Sequence, residues 1–127
     1  MTGSELRVMV MSDPRKLNTT TDFELTDGTV VPLTLTFGLL LKLRSKSKED
    51  YARFNRVIME GPKDVMDSMA IIYAAYLCAY IDDHNTHGGA LSEEEFLELC
   101  PFDIEGAMYT SKSLINPKAK RDSDDPS

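Results

Sequence analysis

The acidic and histidine residues around a double glycine are the first place to look for chemistry. Asp82, Asp83, His84 and His87 precede or adjoin Gly88-Gly89, and Glu93, Glu94 and Glu95 follow it. That order suggests a calcium loop, which takes oxygen ligands at positions 1, 3 and 5, glycine at 6 and a bidentate glutamate at 12. Counting from Asp83 supplies Asn85, His87, Gly88 and Glu94, but the place that should be apolar falls on Ala90. Counting back from Glu95, with Leu91 in the apolar place, makes His84 the first ligand and Gly88 the fifth. Neither frame works: one loop residue is surplus, and histidine is a poor calcium ligand. As a transition-metal site the group offers two histidines, and the chain has no third. A polar loop followed by a capped helix accounts for every residue, so no metal is expected.

Nucleophilic chemistry fares no better. Cys78 could in principle pair with His84 or His87, but it stands inside an apolar stretch where burial disfavours a thiolate. No glycine-rich phosphate loop opens a helix, and no nucleophile sits in a recognisable elbow. The expectation is a chain that is not an enzyme and carries no cofactor.

The totals narrow the remaining classes. At 127 residues the chain has the length of one domain with one core. Its net charge of −7 argues against general affinity for nucleic acid or anionic membrane. The basic clusters Lys42–Lys48 and Lys118–Arg121 read as solvated charge, since no wide basic face with aromatics surrounds them. Cys78 and Cys100 make no disulfide framework and suit a reducing compartment. MTGSELRVMVM lacks the long apolar stretch of a secretory signal, so a cytoplasmic product is expected.

Any site must be positioned by the stretch Pro62–Asp83, which is uncharged from Met69 to Ile81 and closed at both ends by aspartates. Thirteen uncharged residues fall short of the roughly 18 to 20 that span a bilayer. A helix apolar all round is instead buried, in the domain or against another chain, and this one is expected at the centre. Pro62 suits its first turn. Before it, DFELTDGTVVPLTLT predicts a hairpin around Asp27-Gly28. A two-residue loop would put Phe23 and Leu25 on the face opposite Val31, Leu33 and Leu35. A three-residue loop, Thr26-Asp27-Gly28 with Gly28 left-handed, pairs Leu25 with Thr29 and gathers all five on one face. One buried face should select the second register. Pro32 then faces away and suits an edge strand.

Further helices are expected after Thr36, over residues 48–59 with Tyr51, Phe54 and Ile58 on one stripe, and after the capping box Ser92/Glu95. In that third helix Phe96 and Leu99 should turn inward. A last helix capped by Asp103 carries Ile104, Met108 and Ile115 at helical intervals. Residues 5–11 could add a strand. The expected architecture is α+β, mostly α: an N-terminal hairpin, with room for a third strand, packed on four to five helices around the central one. Residues 22–115 form a single domain, 1–21 are an unassigned N-terminal segment, and 116–127 a disordered tail.

Met66, Met69, Tyr73, Tyr76 and Tyr80 lie at helical spacing on the central helix. Core packing explains them, and a small domain also struggles to surround such a helix completely. They are therefore the candidate surface for self-association or for a partner.

In layout, residues 22 to about 110 resemble the tail assembly chaperones of long-tailed bacteriophages. The resemblance rests on the small acidic chain, the early hairpin DFELTDGTVVPLTLTFGLLLKL, the alanine- and tyrosine-rich helix AIIYAAYLCAYI, the closing acidic segment ALSEEEFLEL and the polar tail. It implies a non-catalytic protein of the host cytoplasm that holds the tape measure protein soluble and recruits tail tube subunits. Such a protein is not expected in the mature virion, and homo-oligomers through the central helix and the hairpin edge are expected. The alternatives are a small cytoplasmic protein-binding adaptor, or a calcium- or metal-dependent switch through residues 82–95.

Overall fold

The computed structural model describes residues 20–116. The expected strand over 5–11 and, Asn116 apart, the expected tail lie outside the described residues. Two strands, β1 (Thr21–Glu24) and β2 (Val30–Leu33), precede five helices: α1 (Phe37–Lys46), α2 (Lys48–Glu60), α3 (Val65–His84), α4 (Glu93–Leu99) and α5 (Ile104–Ile115). The fold is α+β and mostly α.

The hairpin takes the three-residue register. Phe23 pairs with Val31 and Glu24 with Val30. Beyond them the Leu25 N–H donates to the Thr29 carbonyl at 2.8 Å. Gly28 sits at φ 89°, a conformation costly for any side chain and free for glycine. Leu25 and Leu33 are buried, Phe23, Val31 and Leu35 half-buried, and Val30 and Pro32 exposed, as one buried face requires.

That face rests on α3, which also packs against α1, α2, α4 and α5. Every residue from Ser68 to Ala79 is buried, and Ile71, Ile72, Ala75 and Cys78 have no measurable exposure. Here α3 is long and apolar enough to cross a membrane by length and composition, yet 72% of its most apolar window is buried inside this fold. Two differences from the sequence expectation concern the start of the central helix and the stripe on α2. The central helix starts at Val65 under an Asp64 cap (Asp67 N–H to Oδ1, 3.0 Å), leaving Pro62 in the connection before it. α2 begins directly after Ser47, whose hydroxyl donates to Asp50 Oδ2 (2.6 Å). On α2 it is Val57, with Phe54, that is buried, and Ile58 is exposed.

The expected caps of the last two helices are present. Ser92 and Glu95 exchange both bonds of a capping box, and Asp103 accepts from Gly106 N–H at 3.0 Å. Phe96 is fully buried and Leu99 half-buried.

Candidate functional site

Of the five residues proposed for a contact surface, α3 exposes only Met66, at 47%, and Tyr80 in part. Met69, Tyr73 and Tyr76 are core residues, at 8%, 6% and 7% exposure. The reason is α4. Phe96 enters the tyrosine row, with its ring 4.8 Å from Tyr76, 5.6 Å from Tyr73 and 6.1 Å from Phe23. Both buried phenols are satisfied by one residue. The Tyr73 hydroxyl donates to the Leu91 carbonyl at 2.8 Å, and the Leu91 N–H donates to the Tyr76 hydroxyl at 2.9 Å. Burial raises the Tyr73 phenol above the usual range, with Asp50 and Glu93 adding to it, and raises Tyr76 in the same way. The expected contact surface on α3 is thus cut back to Met66 and Tyr80, and Met69, Tyr73 and Tyr76 are corrected to a packing role.

The histidine and acidic loop is also accounted for. His84 stacks on Tyr80 with ring centroids 4.0 Å apart, and its Nδ1 lies 3.2 Å from the Tyr80 carbonyl. Asn85, left-handed at φ 58°, ends α3 by donating its N–H to Ile81 at 2.7 Å. Among the described residues no group of three histidine, cysteine or acidic side chains is placed to hold a metal ion. Cys78 is buried mid-helix and its thiol is pushed up to about 12 by desolvation, a poor setting for a nucleophile.

The open surface lies elsewhere. Where the hairpin ends, α1, α2 and the end of α5 enclose an apolar groove of about 490 Å³. Phe37 stands at its rim 92% exposed, and Leu41, Ile58 and Ile115 contribute further uncovered apolar surface. The helices explain the exposure. On α1, Leu39 and Leu43 point into the core while Phe37, Leu41 and Arg44 share another side. Arg44 is the charged residue of the lining, its guanidinium 5.9 Å from the Tyr51 ring centroid, within cation–π reach.

The same splitting of faces occurs on α5. Ala107, Ser111 and Leu114 are its buried side. The small residues let α5 approach α3 closely, and Ser111 returns its hydroxyl to the Met108 carbonyl at 3.0 Å. Ile104, Met108 and Ile115 are left as an exposed apolar row. The row runs from a smaller hollow of about 170 Å³, lined by Met66, Phe102 and Ile104, to the groove at Ile115. Sequence reasoning missed the groove. Its signal was the run FGLLLKL, whose apolar residues cover more than one side of a helix. No family model, no curated protein and no solved structure matches the chain, so the groove and the row are read from their own geometry.

Proposed function

We propose that the chain is a non-catalytic assembly chaperone that holds an apolar helical client in the groove between α1, α2 and α5. The observation that carries this reading is the groove itself: a preformed apolar trough with Phe37 and Leu41 uncovered at its lip. Such troughs take the apolar side of an amphipathic helix, anchored by side chains at helical intervals. The acidic chain keeps a complex with an apolar client soluble. The resemblance to phage tail assembly chaperones is what suggests the tape measure protein as the client. Tail tube subunits are the proteins recruited to it, in the host cytoplasm before the mature virion forms.

Co-expression with a phage tape measure protein tests the proposal. The wild-type chain should retain it in the soluble fraction and co-purify with it, while Leu41→Asp should fold normally and lose it. A client that stays soluble with the Leu41→Asp variant, or fails to bind the wild type, overturns the assignment. Binding of some other single protein through the same groove would instead favour the adaptor reading.

A further inference from the structure

The exposed row on α5 and the groove at its end have complementary counterparts on the same molecule. Phe102, just before the N-terminus of α5, projects at 91% exposure. The groove lies at the other end of the helix, beyond Ile115. Between them Ile104, Met108 and Ile115 fall within a narrow angular strip at the 3.6-residue repeat, and Glu105 and Lys112 flank that strip on its outer side. Among the described residues neither Glu105 nor Lys112 has an ion-pair partner. An apolar knob and an acid thus stand at one end, and a socket and a base at the other.

We infer that two copies of this chain pair through α5, antiparallel about a two-fold axis near Met108, each setting its Phe102 into the other's groove. A two-fold contact must be self-complementary, with each patch meeting the other's counterpart. Here one operation satisfies every part. The knob of each protomer reaches its partner's socket, Ile104 lies over the Ile115 end, Met108 packs near its own copy, and Glu105 comes beside the partner's Lys112. Antiparallel helix dipoles add to the match. Charge complementarity at matched spacing on one helix is what selects a second copy as the occupant. A client helix would fill the groove but leave Phe102 and the row uncovered.

The pairing regulates the groove, a consequence that rests on its being the client site: in the dimer both grooves are closed by Phe102, and a client must displace it. The cost of opening weakens apparent client affinity by the fraction of chain left open.

Sedimentation of the full-length chain across a wide concentration range should show a monomer–dimer equilibrium with no larger species. Phe102→Asp should be monomeric with an unchanged circular dichroism spectrum, since the ring is uncovered in the folded monomer. Glu105→Lys and Lys112→Glu should each weaken the dimer and together restore it. Met108→Cys, in a Cys100→Ser background, should crosslink to its own copy under mild oxidation. A monomer at every concentration, growth into longer assemblies, or a dimer unaffected by Phe102→Asp overturns the pairing. Client binding separates the two readings. If Phe102→Asp is monomeric and binds the tape measure protein about tenfold more tightly, both stand. If it is monomeric and no client binds, the dimer stands and the chaperone reading falls.

Discussion

The Tyr73 hydroxyl and the Leu91 carbonyl oxygen lie 2.8 Å apart, joining the middle of α3 to the residue that precedes the α4 cap. Tyr73→Phe removes the donor and leaves the half-buried Leu91 carbonyl to find another. Tyr76→Phe likewise strands the Leu91 N–H, which donates to Tyr76 at 2.9 Å. Each should cost about 1–3 kcal/mol, read as a fall in urea midpoint at unchanged slope. The double variant should cost less than the sum, because both bonds serve one residue.

Alkaline stability follows from the same burial. Desolvation raises the phenols of Tyr73 and Tyr76, and pushes the thiols of Cys78 to about 12 and Cys100 to about 11. Each group holds its proton more firmly when folded, so its contribution is complete below the unfolded value. As pH climbs above that value the unfolded chain ionises first, and the contribution drains away until the folded group ionises too. Melting temperature should therefore hold through neutrality and decline from about pH 9 upward. A flat profile to pH 11 would contradict it. In thiol labelling at pH 8, half-buried Cys100 should react slowly and buried Cys78 only as fast as the protein unfolds.

Helix ends supply a third test. Ser92→Ala removes the hydroxyl that accepts from the Glu95 N–H, leaves the Ser92 backbone N–H donating to Glu95, and should cost about 1 kcal/mol. Gly61, at φ 86°, closes α2 by donating its N–H to Val57 at 2.8 Å. Gly61→Ala forces a side chain into that conformation and should cost about 1 kcal/mol. Either loss should appear as a drop of roughly 4–8 °C in melting temperature for a domain of this size.

Surface changes in the groove should behave in the opposite way. Leu41→Asp and Phe37→Ser alter residues that are exposed in the folded monomer, so at concentrations where the chain is monomeric stability should shift by less than about 0.5 kcal/mol. Ile71→Ala, in the wholly buried part of α3, should cost about 2–5 kcal/mol. Comparable destabilisation by the groove and core variants would mean that Leu41 and Phe37 are covered by the chain's own residues.

Calcium or zinc should leave the melting temperature where it is. Residues 82–95 are committed to helix ends: His84 to its stack on Tyr80, Asn85 to the close of α3, and Ser92 with Glu95 to the capping box. A rise of several degrees on adding either ion would assign the loop a binding role.

The parts of this fold that were legible in the sequence are those where one local pattern admits one answer. The hairpin is the clearest case, because only one register gathers Phe23, Leu25, Val31, Leu33 and Leu35 on a single side. Caps at Ser92 and Asp103 are similarly local. The position of the tyrosines was not legible, for a helix apolar all round gives no hint of which side is covered. Their burial depends on Phe96 and Leu91, contributed from fifteen or more residues away. On α5 two apolar stripes compete, and the one with bulkier side chains loses. Ala107 and Ser111 allow close contact with α3, so Ile104, Met108 and Ile115 are left outside. The site was hidden for the same reason, since periodicity marks an apolar row without saying whether the protein covers it.

The Thr34 N–H donates to the Ala75 carbonyl at 3.3 Å, so the end of β2 leans directly on the backbone of α3. Such an approach is possible because Ala74 and Ala75 present almost nothing in the way. The next three residues, Leu35, Thr36 and Phe37, form the lip of the groove. A bulkier residue at position 75 would lift the strand end and swing that lip outward without touching any lining side chain. Drift in the interior can thus retune the width of the opening, and with it, on the proposed function, the girth of helix that the groove accepts.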